Sequence, residues 1–183
     1  IFSGTDVILN TPQDLDTYTL YEITLAAGVI RDQSGNNFAG IAQTELNFTT
    51  VDASAPTLIS TFPTDDESNV PVASNLVLTF SENMQAGTGN IVLTNLTDSS
   101  QLTLPVSDPQ IDITNAIVTI NLATDLNTNT NYQITLDSGV LTDNASNDFP
   151  GIAPTTFTFT TVDALGPTLV LSTPLDGDTD VTV

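Results

Sequence analysis

Cysteine, histidine, lysine and tryptophan are all missing from this 183-residue chain, and Arg31 is its only cation. Without histidine, no side chain is suited by its ordinary pKa to shuttle protons near neutrality, and a Ser–His–Asp arrangement is impossible within the chain. Without cysteine there is neither a thiolate nucleophile nor a disulfide. Without lysine there is no Schiff base, no phosphate clamp and no Lys–Asn isopeptide staple. A carboxylate pair could still hydrolyse a glycoside. Such clefts usually add aromatic platforms, however, and the chain has only three tyrosines. The expectation is that the protein is not an enzyme. One cation stands against 22 acidic residues, for a net charge of −21. That leaves nothing to neutralise phosphates and excludes nucleic-acid binding. An anionic membrane surface would repel the chain, and no apolar run reaches membrane-spanning length. The N-terminus does not read as a signal peptide. Residue 1 falls inside a repeat, so an export signal is expected upstream.

What is present is strand chemistry. Hydrophobic residues make up 39% of the chain, mostly Val, Ile, Leu and Phe interleaved with Thr, which suits pleated, half-buried surfaces. The strongest signal is internal repetition. Residues 21–58, YEITLAAGVIRDQSGNNFAGIAQTELNFTTVDASAPTL, recur as residues 132–169, YQITLDSGVLTDNASNDFPGIAPTTFTFTTVDALGPTL, without a gap. The 111-residue offset carries on to Pro63, Asp65, Val70 and Val72, matched by Pro174, Asp176, Val181 and Val183. Upstream it holds more weakly, through Leu15/Leu126 and Thr17/Thr128. Each Thr-Thr-Val-Asp-Ala segment, 49–53 and 160–164, ends a strand and leads to Pro56 or Pro167, which reads as a short linker. The phase therefore divides the chain into residues 1–52, the C-terminal half of one repeat; 53–163, a complete repeat; and 164–183, the start of the next.

Alternation and turn residues parse the complete repeat into about seven or eight short strands. These are 57–61, 75–80, 89–93, 101–106, 111–114, 116–122, 132–136 and 155–161, with an acidic turn at 64–69. No stretch has a helical period, so an antiparallel sandwich is expected. Leu126 precedes Tyr132 by six residues, and Leu15 precedes Tyr21 in the same way. This pattern resembles the tyrosine corner of Greek-key sandwiches, against the plainer reading of a tyrosine that merely opens a strand.

Three segments carry a family resemblance: Pro63…Val70-Pro71-Val72, Leu78-Thr79-Phe80-Ser81-Glu82 and Gly139-Val140-Leu141-Thr142-Asp143. With them the chain resembles the bacterial Ig-like repeats of S-layer proteins and giant surface adhesins. The resemblance implies an all-β fold of tandem immunoglobulin-like antiparallel β-sandwiches of Greek-key type. It also implies an extracellular, cell-surface place and a role as spacer or building block. Some related extender repeats bind Ca²⁺ at domain junctions.

In such a sandwich the first strand leaves the N-terminal pole, the second returns to it, and the penultimate strand also runs toward it. Asp52, Glu82, Asp143 and Asp148 are thus expected near one another, with Asn83, Asn144 and Asn147 able to add oxygens. Packed carboxylates need a cation, and Ca²⁺ accepts six to eight oxygen ligands in irregular geometry. The expectation is a junctional Ca²⁺ that stiffens the linker, with Asp163 repeating the role of Asp52 at the next junction. The plain alternative is a set of solvated loop acids. A second acidic group, Asp65-Asp66-Glu67, is expected at the opposite pole near Asp125, as an ordinary acidic turn. The loop Asp32-Gln33-Ser34-Gly35-Asn36 reads as a set of turn formers. The expected partners are neighbouring repeats and other copies in a filament or layer. The rival expectation is a module binding a glycan or a host protein, with its recognition loop within residues 84–111.

Overall fold

The computed structural model describes residues 2–3 and 5–182. Four short strands precede residue 52. β1 (Phe2–Ser3) pairs with β2 (Asp6–Val7), and β3 (Leu20–Glu22) pairs with β4 (Asn47–Thr49). Eleven more follow: β5 (Leu58–Phe62), β6 (Glu67–Val70), β7 (Leu76–Phe80), β8 (Met84–Ala86), β9 (Asn90–Asn95), β10 (Gln101–Pro105), β11 (Ile111–Thr114), β12 (Ile117–Ile120), β13 (Asn131–Leu136), β14 (Leu141–Asp143) and β15 (Thr158–Thr161). They form an all-β sandwich. One sheet runs β10-β9-β13-β15-β6 and the other β11-β12-β7-β5, with β14-β8 as a two-stranded annex. All pairings in the sandwich are antiparallel except β15 with β6.

Period-two burial explains why the two sheets stack. In β7, Leu76, Leu78 and Phe80 face inward while Val77 and Thr79 face outward; β9 buries Ile91 and Leu93, and β12 buries Val118 and Ile120. Tyr132, Ile134, Leu136 and Phe159 join Ile91 and Leu93 on the inner face of the five-stranded sheet, and Phe157, just before β15, packs into the same core. Burying a large apolar side chain contributes on the order of 1.5–3 kcal/mol, so the sheet-to-sheet core is the main source of stability. Phe80 meets Phe149 edge to face at 5.0 Å, which ties the loop after β14 to the end of β7.

Four strands depart from the sequence reading. Residues 67–69, expected as part of the turn 64–69, form β6 together with Val70, because Asp66 N–H donates to the Thr158 carbonyl at 2.8 Å and Val162 N–H to the Val70 carbonyl at 2.9 Å. β8 and β14 pair with each other at the rim, with Asp143 opposite Met84. The strand expected from residue 155 begins at Thr158, since Thr155 lies in the left-handed region at φ 66° and residues 154–156 turn. The acidic group Asp65-Asp66-Glu67 is not at a pole. It lies along the flank of β15: the Asp65 carboxylate accepts from Thr158 N–H at 2.9 Å, and the Asp66 carboxylate from the Thr158 hydroxyl at 2.7 Å.

The tyrosine corner is real in both copies. Asn127 N–H donates to the Tyr132 hydroxyl oxygen at 2.9 Å, and Asp16 N–H to that of Tyr21 at 2.9 Å. The ring pairs match as well: Tyr132 stacks on Phe159 at 5.6 Å and Tyr21 on Phe48 at 5.8 Å.

Candidate metal centre at the linker

The site is assembled from three separated segments. Asp52 lies in the linker, where its carboxylate accepts from Ser54 N–H at 3.0 Å in an Asx turn. The turn after β7 is fastened to that linker: Ser81 N–H donates to the Thr57 carbonyl at 2.9 Å, and Thr57 N–H to the Ser81 hydroxyl at 3.0 Å. Glu82 follows. Asp143 ends β14 and is fully buried. Its carboxylate accepts from Asn147 N–H at 2.8 Å and from the Asn147 amide at 2.7 Å. The same amide also reaches the Asp52 carbonyl at 3.3 Å, and the Gln85 amide holds the Asp143 carbonyl at 2.7 Å.

Asp52, Glu82 and Asp143 each offer a carboxylate oxygen, and the three atoms lie within 4.8 Å of one another. Asp52 and Glu82 are half-buried. The chain's single cation, Arg31, belongs to the other copy of the repeat. Crowding shows in the protonation of the group. Glu82 is held above its ordinary value of 4.5, first by burial, then by the charges of Asp143 and Asp52 and a hydrogen bond with Asp143. For Asp143 burial is the largest single influence and works against ionisation. The hydrogen bonds from the side chain and backbone of Asn147, and from the backbone of Ala145 and Ser146, outweigh it, so its carboxyl stays below 3.8. One carboxylate is thus locked in its charged form while its neighbour resists charging. A hard divalent cation would relieve that conflict, and oxygen donors are the ligands Ca²⁺ prefers.

Two of the sequence-derived residues stand apart. Asp148 bridges to Thr142, and its carboxylate lies against Gly139. Cross-strand partners share a face, and consecutive residues alternate, so Asp148 faces the way Thr142 does and away from Asp143. Asp163 sits in the second linker. Its carboxylate accepts from Leu165 N–H at 3.0 Å, repeating the Asx turn of Asp52. Asn147 was expected to supply an oxygen, but it turns its N–H₂ group to the carboxylate. Sequence reasoning missed the fixing role of Gln85, and it underread Asp32. The Asp32 carboxylate accepts from Asn36 N–H and the Asn36 amide, both at 2.8 Å. These are the bonds of Asp143 and Asn147, and the 111-residue offset pairs the two loops.

Residues 52–161, more than half of the chain, match the family model described as a bacterial Ig-like domain. The chain belongs to that family. No curated protein matches it. Bacterial Ig-like domains of this kind are non-catalytic structural modules and commonly occur in surface or extracellular proteins.

Proposed function

We propose that this chain is a non-enzymatic structural stretch of a large bacterial surface protein. It acts as a rigid extender or as a building block of a filament, S-layer or adhesin. In this reading residues 53–163 are one whole repeat, 1–52 the second half of another and 164–183 the opening of a third. Ca²⁺ at the repeat junctions stiffens the linkers, held here by Asp52, Glu82 and Asp143. Asp163 and Asp32 are the equivalents of Asp52 and Asp143 at neighbouring junctions. Asp148 has no part in it.

The observation that carries this reading is that linker residue Asp52 shares its carboxylate cluster with Glu82 and Asp143 of the sandwich. A cation bound there ties the linker to the domain, so the angle between repeats loses freedom. Small-angle scattering and thermal unfolding with Ca²⁺, then with chelator, test it. Ca²⁺ should lengthen the particle and raise the melting temperature, and Glu82→Gln should abolish both responses. Identical curves with and without Ca²⁺ would sink the cation.

The rival reading, a module that binds a glycan or a host protein, draws on one feature. An open groove of about 360 Å³ is lined by Thr88, Asn90, Thr135, Asp137 and Ser138. The offset sets Asp137 and Ser138 against Ala26 and Ala27, a divergence suited to a recognition surface. A glycan array probed with the single repeat tests it, and binding lost on Asp137→Ala would favour it.

A further inference from the structure

The acidic turn Asp65-Asp66-Glu67 has no part in the cluster around Asp52, yet each of its carboxylates is engaged. Two of them hold one residue at the start of the last strand. Thr158 N–H donates to the Asp65 carboxylate at 2.9 Å, and the Thr158 hydroxyl to the Asp66 carboxylate at 2.7 Å. The Thr158 carbonyl in turn accepts Asp66 N–H at 2.8 Å. All three polar groups of Thr158 are thus bound by two consecutive acids. Glu67 closes the turn itself. Its carboxylate accepts Thr64 N–H at 2.7 Å and the Thr64 hydroxyl at 3.1 Å, and Glu67 N–H donates to the Thr64 carbonyl at 3.1 Å.

These bonds lie on the line along which tension crosses the repeat. The chain enters beside the end of β7, where Thr57 N–H donates to the Ser81 hydroxyl at 3.0 Å. It leaves beside Val70, just ahead of β7, where Val162 N–H donates to the Val70 carbonyl at 2.9 Å. Entry and exit are therefore at opposite poles. Force entering at Thr57 reaches β6 through β5, and force at Val162 acts directly on β15. Because β6 and β15 are parallel, such force draws them past each other along their axes. Strands sheared in this way load all their bonds at once, whereas strands parted from a shared end lose them one by one. The backbone ladder that resists the shear is short. β6 and β15 have four residues each, and their register shifts between Phe159 and Thr161. The carboxylates of Asp65 and Asp66 add the bonds that so short a ladder lacks.

We infer that Asp65, Asp66 and Thr158 form a load-bearing clamp, which locks β15 to β6 against tension along the array. The clamp deepens the extender branch of the proposed function and rests on it, but makes no use of the cation. At rest these exposed bonds compete with water and add little to equilibrium stability. Removing an acid from so acidic a chain also relieves repulsion. The contribution of the clamp is therefore sought in forced unfolding, which is governed by the unfolding rate.

The test is constant-force unfolding of the 183-residue chain in chelator. The chain has no cysteine, so introduced cysteines serve as handles. One pair of handles sits at the two ends of the chain. The second pair sits at Thr97 and the C-terminal end. Leu96 N–H donates to the Asn131 carbonyl at 2.8 Å and Asn129 N–H to the Val162 carbonyl at 2.9 Å, so Thr97 is at the exit pole and this pull peels β15 from its last residue. Opening of the repeat should release on the order of 350 Å end to end and about 200 Å from Thr97, at about 3.5 Å per residue. In the end-to-end pull, Asp65→Ala combined with Thr158→Val should raise the unfolding rate at fixed force about tenfold, equivalent to about 1.4 kcal/mol of barrier. Each single substitution should give part of that rise. In the second pull the double variant should unfold at the wild-type rate, because bonds at the start of β15 are still intact when peeling begins. Thr158→Ser keeps all three bonds and should match the wild type in both pulls. An unchanged end-to-end rate in the double variant, a rise of equal size in both pulls, or an equal rise with Thr158→Ser overturns the inference. The extender reading itself is judged separately, by its scattering and its Ca²⁺ response.

Discussion

Tyr132 and Tyr21 each accept a backbone N–H from five residues upstream, and single residues of this kind decide more here than their number suggests. Tyr132→Phe leaves the Asn127 N–H without its partner. An unsatisfied donor of this kind costs about 1–3 kcal/mol, which should appear as a lower urea midpoint with unchanged slope. Glu82→Gln should act in the opposite direction. It removes a charge crowded by Asp143 and Asp52. Relief of about 1 kcal/mol, the scale of two charges about 4 Å apart in water, would raise the melting temperature in chelator at pH 7 by roughly 4 °C. The pH dependence has a definite sign. Glu82 has a raised folded pKa, so its contribution favours the fold below its ordinary value and is lost as pH rises through the raised one. Asp143 is depressed, so its contribution is present above 3.8 and lost as pH falls through its lower folded value. In chelator these two groups together favour the fold most between those limits. The Ca²⁺ response needs Glu82 ionised and should fade as pH falls through its raised pKa. Calorimetry across pH 3–7, with and without Ca²⁺, checks both statements.

The element that governs the site is the short pairing of β8 with β14. It depends on Gly87, because a Cβ there would lie 2.1 Å from the Gly139 carbonyl oxygen. Gly87→Ala should therefore part the two strands and displace Asp143 from Glu82. The expected outcome is a loss of several degrees in melting temperature together with loss of the Ca²⁺ response, read by calorimetry, while the tyrosine corner stays protected in hydrogen exchange. Neither β8 nor β14 was legible in the sequence. Three-residue strands such as Met84–Ala86 carry no measurable period, and only their partner makes them strands. Residues 67–69 were misread for a related reason. Glu-Ser-Asn has the composition of a turn, and Asn69 is in the left-handed region at φ 62°; the neighbouring β15 nevertheless recruits the segment as a parallel edge. In β13 the period itself is broken. Gln133 is buried in an otherwise outward-facing row because its side-chain oxygen accepts Thr155 N–H at 2.9 Å.

At the scale of the whole molecule, stability in a repeat array is the sum of each unit and its junctions. Ca²⁺ at about 100 times its dissociation constant would add roughly 2.7 kcal/mol, enough to dominate a junction while leaving the sandwich core unchanged. Chelation should then lower the melting temperature and shorten the scattering profile together. The 111-residue register, the all-β architecture and both tyrosine corners could be read from residue order alone. They rest on local alternation, on turn chemistry and on self-similarity, each written along the chain. Which acids meet was legible in part: the expected poles of the sandwich placed Asp52, Glu82 and Asp143 together, as the structure does, but wrongly added Asp148. Asp52, Glu82 and Asp143 come from segments far apart in sequence, and only the poles of the sandwich bring them together. Asp148, close to Asp143 in sequence, is turned away by strand alternation. The sequence by itself determined the repeating frame and the shortage of cations. The tertiary structure alone decided which of the expected acids take part, because side-chain direction depends on cross-strand pairing, which joins residues that are remote in the chain.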